Sequence, residues 1–149
     1  MKPITFSASI KIYYKPLQNS RILWPILDIE LSSKGTSIPR SIGALVDSGA
    51  NLSILHPQLA QYLGFDLKKL GSPKAGGISV SGGYKSWILP NPIDVNIYGY
   101  KFSFNFTVID NPNLIWGCIL GEDSIFSVAK IDFQKFKGFF EIRFRQDLN

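Results

Sequence analysis

The stretch Ala44-Leu45-Val46-Asp47-Ser48-Gly49-Ala50 constrains this chain more than any other. An apolar run delivers a carboxylate to a tight turn, and a second apolar run, Leu52-Ser53-Ile54-Leu55, leaves it. Asp, Ser and Gly are turn formers, and glycine directly after the acid lets another backbone approach closely. A strand that ends on an acid aimed into a cleft fits this pattern. An isolated Asp-[Ser/Thr]-Gly arises by chance in roughly one chain in ten of this size. Here it is joined downstream by Ile119-Leu120-Gly121, followed by Glu122-Asp123.

The length of 149 residues suits one domain spanning 1–149, with residues 1–20 as a less well defined N-terminal strand extension. With 45% hydrophobic and 18% charged residues, the chain is of the folded class. Eleven Phe and six Tyr favour strands, and thirteen Gly with nine Pro imply many turns, so an all-β domain is expected. The net charge of +5 favours solubility. Lys130, Lys135, Lys137, Arg143 and Arg145 alternate with apolar residues, which reads as one solvated strand face; nucleic acid is not expected as a partner. Cys118 is the sole cysteine, so no intrachain disulfide can form, and its apolar neighbours mark it as a small core residue. No stretch approaches the roughly 20 apolar residues of a membrane span. Ser7, Ser9 and Lys11 interrupt any signal-peptide apolar region. A cytoplasmic protein without membrane contact is the expectation.

Along the chain, Ile4 to Tyr14 and Arg21 to Leu31 read as strands, the second with a bulge or edge near Pro25. Ile42 to Val46 is a strand ending at Asp47. His56 to Gly64 is the clearest helix, with proline in its first turn and Gly64 as its stop. His56 at its start suits a capping role better than catalysis. Gly71 to Gly83, rich in Gly and Ser, reads as a loop or a mobile β-hairpin over a cleft, with Tyr84 to Leu89 returning. Strands near Ile93 to Tyr98 and Lys101 to Ile109 meet at a tight turn at Gly99. The last third holds strand Trp116 to Leu120, a helical turn near Asp123 to Phe126, and strands Lys130 to Phe133 and Phe139 to Phe144. There is no second Asp-[Ser/Thr]-Gly.

From about Ile26 to Phe144, the order and spacing of these segments resemble the retropepsin-like aspartic proteases, especially the small cellular and bacterial single-domain members. The resemblance implies a closed β-barrel with one or two short helices, a Gly-rich hairpin flap, and a symmetric homodimer as the active form. It assigns Asp47 as the catalytic residue, with Ser48, Gly49 and Ala50 in the active-site loop and cleft. Gly76, Gly77 and Ile78 fall at the flap, and Ile119, Leu120 and Gly121 support the aspartate turn. The chemistry points to a dimer independently: peptide hydrolysis by this route uses two carboxylates sharing one proton, and this chain supplies one in the right motif. Peptide or unfolded protein is the expected substrate, with no metal or other cofactor. Two positions depart from viral members, which commonly pair an aspartate four residues after the catalytic one with an arginine just after the Ile-Leu-Gly glycine. Here these are Asn51 and Glu122. A non-catalytic module that binds extended peptides is the competing expectation, and a basic nucleic-acid-binding barrel a weaker one.

Overall fold

Apolar residues at every second position decide how this chain packs. In the computed structural model, which describes residues 2–18, 20–75 and 84–148, Ile93, Val95 and Ile97 turn one face of their strand inward. Leu27, Ile29 and Leu31 do the same on the strand beside it. Strands that alternate this way bury one face and solvate the other. The result is mostly β, with a curled main sheet and, among the described residues, two short α-helices.

Among the described residues the main sheet has ten strands. From one end of its path to the other run Tyr100–Phe104, Ile93–Ile97, Ile26–Ser33, Ile42–Val46, Cys118–Leu120, Ile54–Leu55, Thr107–Asp110, Lys85–Ile88 and Lys74–Ala75. Thr36–Ser37 pairs with the Ile26–Ser33 strand off this path. No pairing among the described residues joins the two ends into a closed barrel. A second sheet places Phe139–Phe144 between Ile10–Tyr13 and Ala129–Gln134. Its inward residues Phe140, Ile142 and Phe144 join the same core as Leu27, Ile29 and Ile93. A short ribbon pairs Lys15–Pro16 with Leu23–Trp24.

Several expected elements form as anticipated. Ile42–Val46 and Phe139–Phe144 have the expected bounds. The helix is Pro57–Tyr62, and His56 caps it: its Nδ1 accepts from the Gln58 amide at 3.1 Å. The Tyr98-Gly99 turn has both residues at positive φ, 51° and 89°, and joins Ile97 to its partner Tyr100. That geometry matches the right-handed twist of a hairpin.

Others are shorter or displaced. Only Ile10–Tyr13 of the Ile4–Tyr14 stretch is a strand, with a lone bridge at Phe6. The buried Ser7 hydroxyl accepts from the Phe144 amide and interrupts the backbone ladder there. The strand expected from Lys101 to Ile109 breaks after Phe104. Before the break it pairs with Ile93–Ile97; after it, Thr107–Asp110 pairs with Lys85–Ile88 and Ile54–Leu55. The helical turn expected near Asp123–Phe126 lies at Ile125–Val128. Pro25 separates Leu23–Trp24 from Ile26–Ser33, as its ring restricts the ladder.

Candidate active site

Three neighbouring strands create the site. Cys118–Leu120 runs parallel to Ile42–Val46, with Leu120 beside Val46, and antiparallel to Ile54–Leu55. The chain leaves Val46 into Asp47, turns, and returns to the far side of the Ile119-Leu120 strand. Asp47 is tied to that strand by its own amide, which donates to the Leu120 carbonyl at 3.0 Å. The residue as a whole is half-buried, and its Oδ1 accepts from the Gly49 amide at 2.9 Å in an exposed hydrogen bond. The Ala50 amide donates to the Asp47 carbonyl at 3.2 Å and closes the turn. Asp47 is thus held at both its backbone and one carboxylate oxygen. Ser48 and Gly49 are exposed, and Ala50 is half-buried.

Gly121 meets the Asp47 turn from the other strand. The Glu122 amide donates to the Ala50 carbonyl at 2.8 Å. A Cβ at Gly121 would overlap the Ala50 carbonyl oxygen and lie 3.1 Å from the Ala50 Cβ. No side chain fits that gap, so glycine is required by close approach and not by its φ. Ile119 and Leu120 supply the strand beneath, and Leu120 is fully buried.

Ser53 ties the two loops together, a role its sequence context did not single out. It is fully buried, yet polar. Its hydroxyl donates to Asp123 Oδ1 at 2.6 Å, accepts from the Gly121 amide at 3.0 Å, and lies 2.6 Å from the Ser124 Oγ. A carboxylate only accepts, so the Ser53 proton goes to Asp123 and Ser124 donates its own. Ser53→Ala leaves the buried Gly121 amide short of a partner and the Ser124 hydroxyl with only its long 3.5 Å bond to the Gly121 carbonyl. It should cost about 1–3 kcal/mol, and thermal melts should show the loss. Asp123→Asn keeps an oxygen acceptor and should cost less in the same melts.

Gly76, Gly77 and Ile78 lie outside the described residues. On either side, Lys74–Ala75 pairs antiparallel with Ser86 and Lys85. Cys118 is fully buried, and burial pushes its thiol well above the ordinary range; it is a core side chain, as its apolar context implied. A concavity of about 1180 Å³ does not include Asp47. It runs behind the site along Glu30, Arg40, Asp94 and Phe102, and touches the Gly121 turn through Asp123 and Ser124.

No protein-family model matches the sequence, and no curated protein matches it. Solved structures do. A retropepsin-like aspartic protease from Rickettsia conorii superposes with a TM-score of 0.63 at 20% identity, over 91% of this chain and 98% of that one. The retroviral protease-like domain of Ddi1 from Leishmania major superposes with a TM-score of 0.50 at 24% identity, over 71% of this chain and 80% of that one. The fold is retropepsin-like. Within this retropepsin-like frame, both Asn51 and Glu122 are exposed. The salt bridges among the described residues lie elsewhere, at Lys15–Asp28 and Arg145–Asp147. No helix of the described residues is long and apolar enough to cross a membrane.

Proposed function

We propose that this chain is an aspartic endopeptidase, built as a single domain and active as a homodimer in which Asp47 of each copy meets its mate. The observation that carries the reading is the Asp47 turn. A half-buried aspartate stands at the end of a strand, one carboxylate oxygen held by the Gly49 amide, with Gly121 packed directly against the next residue but two, Ala50. A rigidly held acid with small, exposed neighbours leaves room for an extended peptide backbone.

In the proposed reaction, one Asp47 carboxylate takes a proton from a water molecule as the water oxygen bonds to the peptide carbonyl carbon. The protonated mate donates to the carbonyl oxygen, giving a tetrahedral diol. The C–N bond then breaks as one aspartate gives its proton to the leaving nitrogen and the other takes a proton from a diol hydroxyl, so the carboxylic acid product forms and the dyad returns to one shared proton. Ser48 and Gly49 border the substrate path, and Ala50 lines it. Ile119, Leu120 and Gly121 hold the turn in place. No metal or other cofactor enters these steps. The substrate class is unfolded protein or peptide.

The test is incubation of the wild-type chain with a diverse pool of unfolded peptides from acidic to neutral pH. Cleavage at defined bonds, fading as the shared proton is lost at higher pH, is the expected result. Tight capture of peptides without cleavage at any pH would overturn the reading in favour of a binding module.

A further inference from the structure

The Tyr100–Phe104 strand stands at one end of the main sheet's path. One side of it pairs with Ile93–Ile97, and among the described residues no strand pairs with its other side. The hairpin fixes which main-chain groups point that way. A two-residue turn at Tyr98-Gly99 makes Ile97 and Tyr100 a hydrogen-bonded pair, and such pairs alternate with non-bonded ones along an antiparallel ladder. Tyr100, Phe102 and Phe104 therefore direct their amides and carbonyls at Ile97, Val95 and Ile93. Lys101 and Ser103 turn theirs outward, and no backbone partner among the described residues meets them. Each offers one donor and one acceptor.

This edge borders the concavity of about 1180 Å³, which Val128 of the helix Ile125–Val128 and Leu148 also line. Small-molecule pockets hold roughly 300–1,000 Å³, so the space is that of a peptide segment. Side chains alternate across a strand. Lys101 and Ser103 share a face with their cross-strand partners Asn96 and Asp94, and the Ser103 hydroxyl donates to Asp94 at 3.0 Å. Phe102, on the opposite face, stacks on Phe104 and meets Phe144, yet is only half-buried. Val128 is half-buried too, and Leu148 is 45% exposed. A chain laid along this edge meets polar groups on one face and apolar ones on the other. Charges of both signs line the concavity, Arg40 and Lys101 against Glu30 and Asp123, so neither sign of charge is selected.

We propose that the free edge at Lys101 and Ser103 is an exosite, where an extended segment of the substrate polypeptide, away from the bond to be cut, adds to the main sheet as a further strand. The inference rests on the endopeptidase reading for the source of that segment. It goes beyond that reading in naming a second binding surface and the pattern it takes. The concavity reaches Asp123 and Ser124, which hold the Gly121 turn through Ser53, so it runs up to the supports of the Asp47 turn. Main-chain bonds carry the affinity, and the edge accepts many sequences that alternate polar and apolar residues. Long unfolded chains gain from it, and short peptides that fill only the Asp47 cleft do not.

The experiment has two arms. In the first, amide hydrogen exchange of the full chain carrying Asp47→Asn is followed by NMR, with and without a peptide of alternating Thr and Val capped by Lys at each end. Exchange of the Lys101 and Ser103 amides should slow at least tenfold at saturating peptide, while the Tyr100 and Phe102 amides, already bonded within the sheet, should not change. In the second, Ser103→Pro removes one outward donor at an edge position that tolerates proline. It should raise KM for reduced, carboxymethylated lactalbumin about fivefold, the effect of one lost main-chain hydrogen bond, and leave kcat and the cleavage of a short peptide unchanged. Ser103→Ala keeps the amide and should leave KM near the wild-type value. Lys101→Pro serves where a melt shows Ser103→Pro unfolded. Unprotected amides, a Ser103→Pro KM equal to wild type, or a KM rise shared by the short peptide would overturn the exosite. So would an oligomer that Ser103→Pro disperses, which gives the edge to a second copy. The two readings fail separately. Amides protected by peptide in a wild-type chain that cuts nothing keep the edge site and remove the endopeptidase. Cleavage with both amides unprotected does the reverse.

Discussion

Asp47→Asn should lower peptide cleavage by about 10²–10⁴-fold, the usual contribution of a positioned acid or base, while leaving the chain folded. The amide nitrogen of asparagine cannot take a proton from water, so the attacking hydroxide equivalent is never generated. The local structure, by contrast, should survive. Asp47 uses Oδ1 to accept from the Gly49 amide, and the Asn side chain keeps an oxygen that can accept at that place. Its backbone bond to Leu120 does not depend on the side chain. Single-turnover cleavage and a thermal melt, run on both proteins, separate the two effects. An Asn variant that cuts as fast as the wild type would remove Asp47 from the chemistry.

Gly121→Ala should have the larger structural effect. The added methyl has no space: it meets the Ala50 carbonyl oxygen, its carbonyl carbon and its Cβ together. Two of these are backbone atoms, which cannot rotate away as a side-chain tip does. Overpacking in a well-filled region costs about 1–3 kcal/mol, and relief requires moving the Ala50 turn itself. At about 2–4 °C per kcal/mol for a chain near this size, the melting temperature should drop by several degrees. Cleavage should fall further than stability predicts, since the Asp47 turn is what must shift. A variant with wild-type melting and wild-type rate would show that the two loops do not touch as described.

The aspartate turn was legible because its signal is local. An apolar run, an acid and two small residues specify a strand end and a turn without reference to the rest of the chain. His56 was legible as a cap for the same reason, as it precedes Pro57 at the start of an amphipathic helix. The Gly99 hairpin also declares itself locally. Ser53 was not legible in this way. Its role comes from Asp123 and Ser124, seventy residues away in the chain, and not from its own neighbours. The shortened strands share that cause. Lys101 to Ile109 has uniform β character, and only its change of partner after Phe104 divides it. Ile54–Leu55 is two residues long, and its strand status comes from Cys118–Ile119 and Thr107–Val108 on either side.

Among the described residues, the Ile10–Tyr13 strand pairs only with Phe139–Ile142, and this has a consequence for how the protein is made. At ribosomal speeds of about 5–20 residues per second, the interval between the two strands is on the order of ten seconds. Through that interval the early strand has no ladder to join. It must stay unpaired while the main sheet, whose strands all lie between them, emerges and assembles. Ile10 and Ile12 offer only a few apolar side chains, and Lys11 stands between them, a charge that discourages stray pairing with other chains. Phe139–Phe144 is therefore the strand that completes this sheet, and Ile10–Tyr13, made well before it, is among the last to find its place.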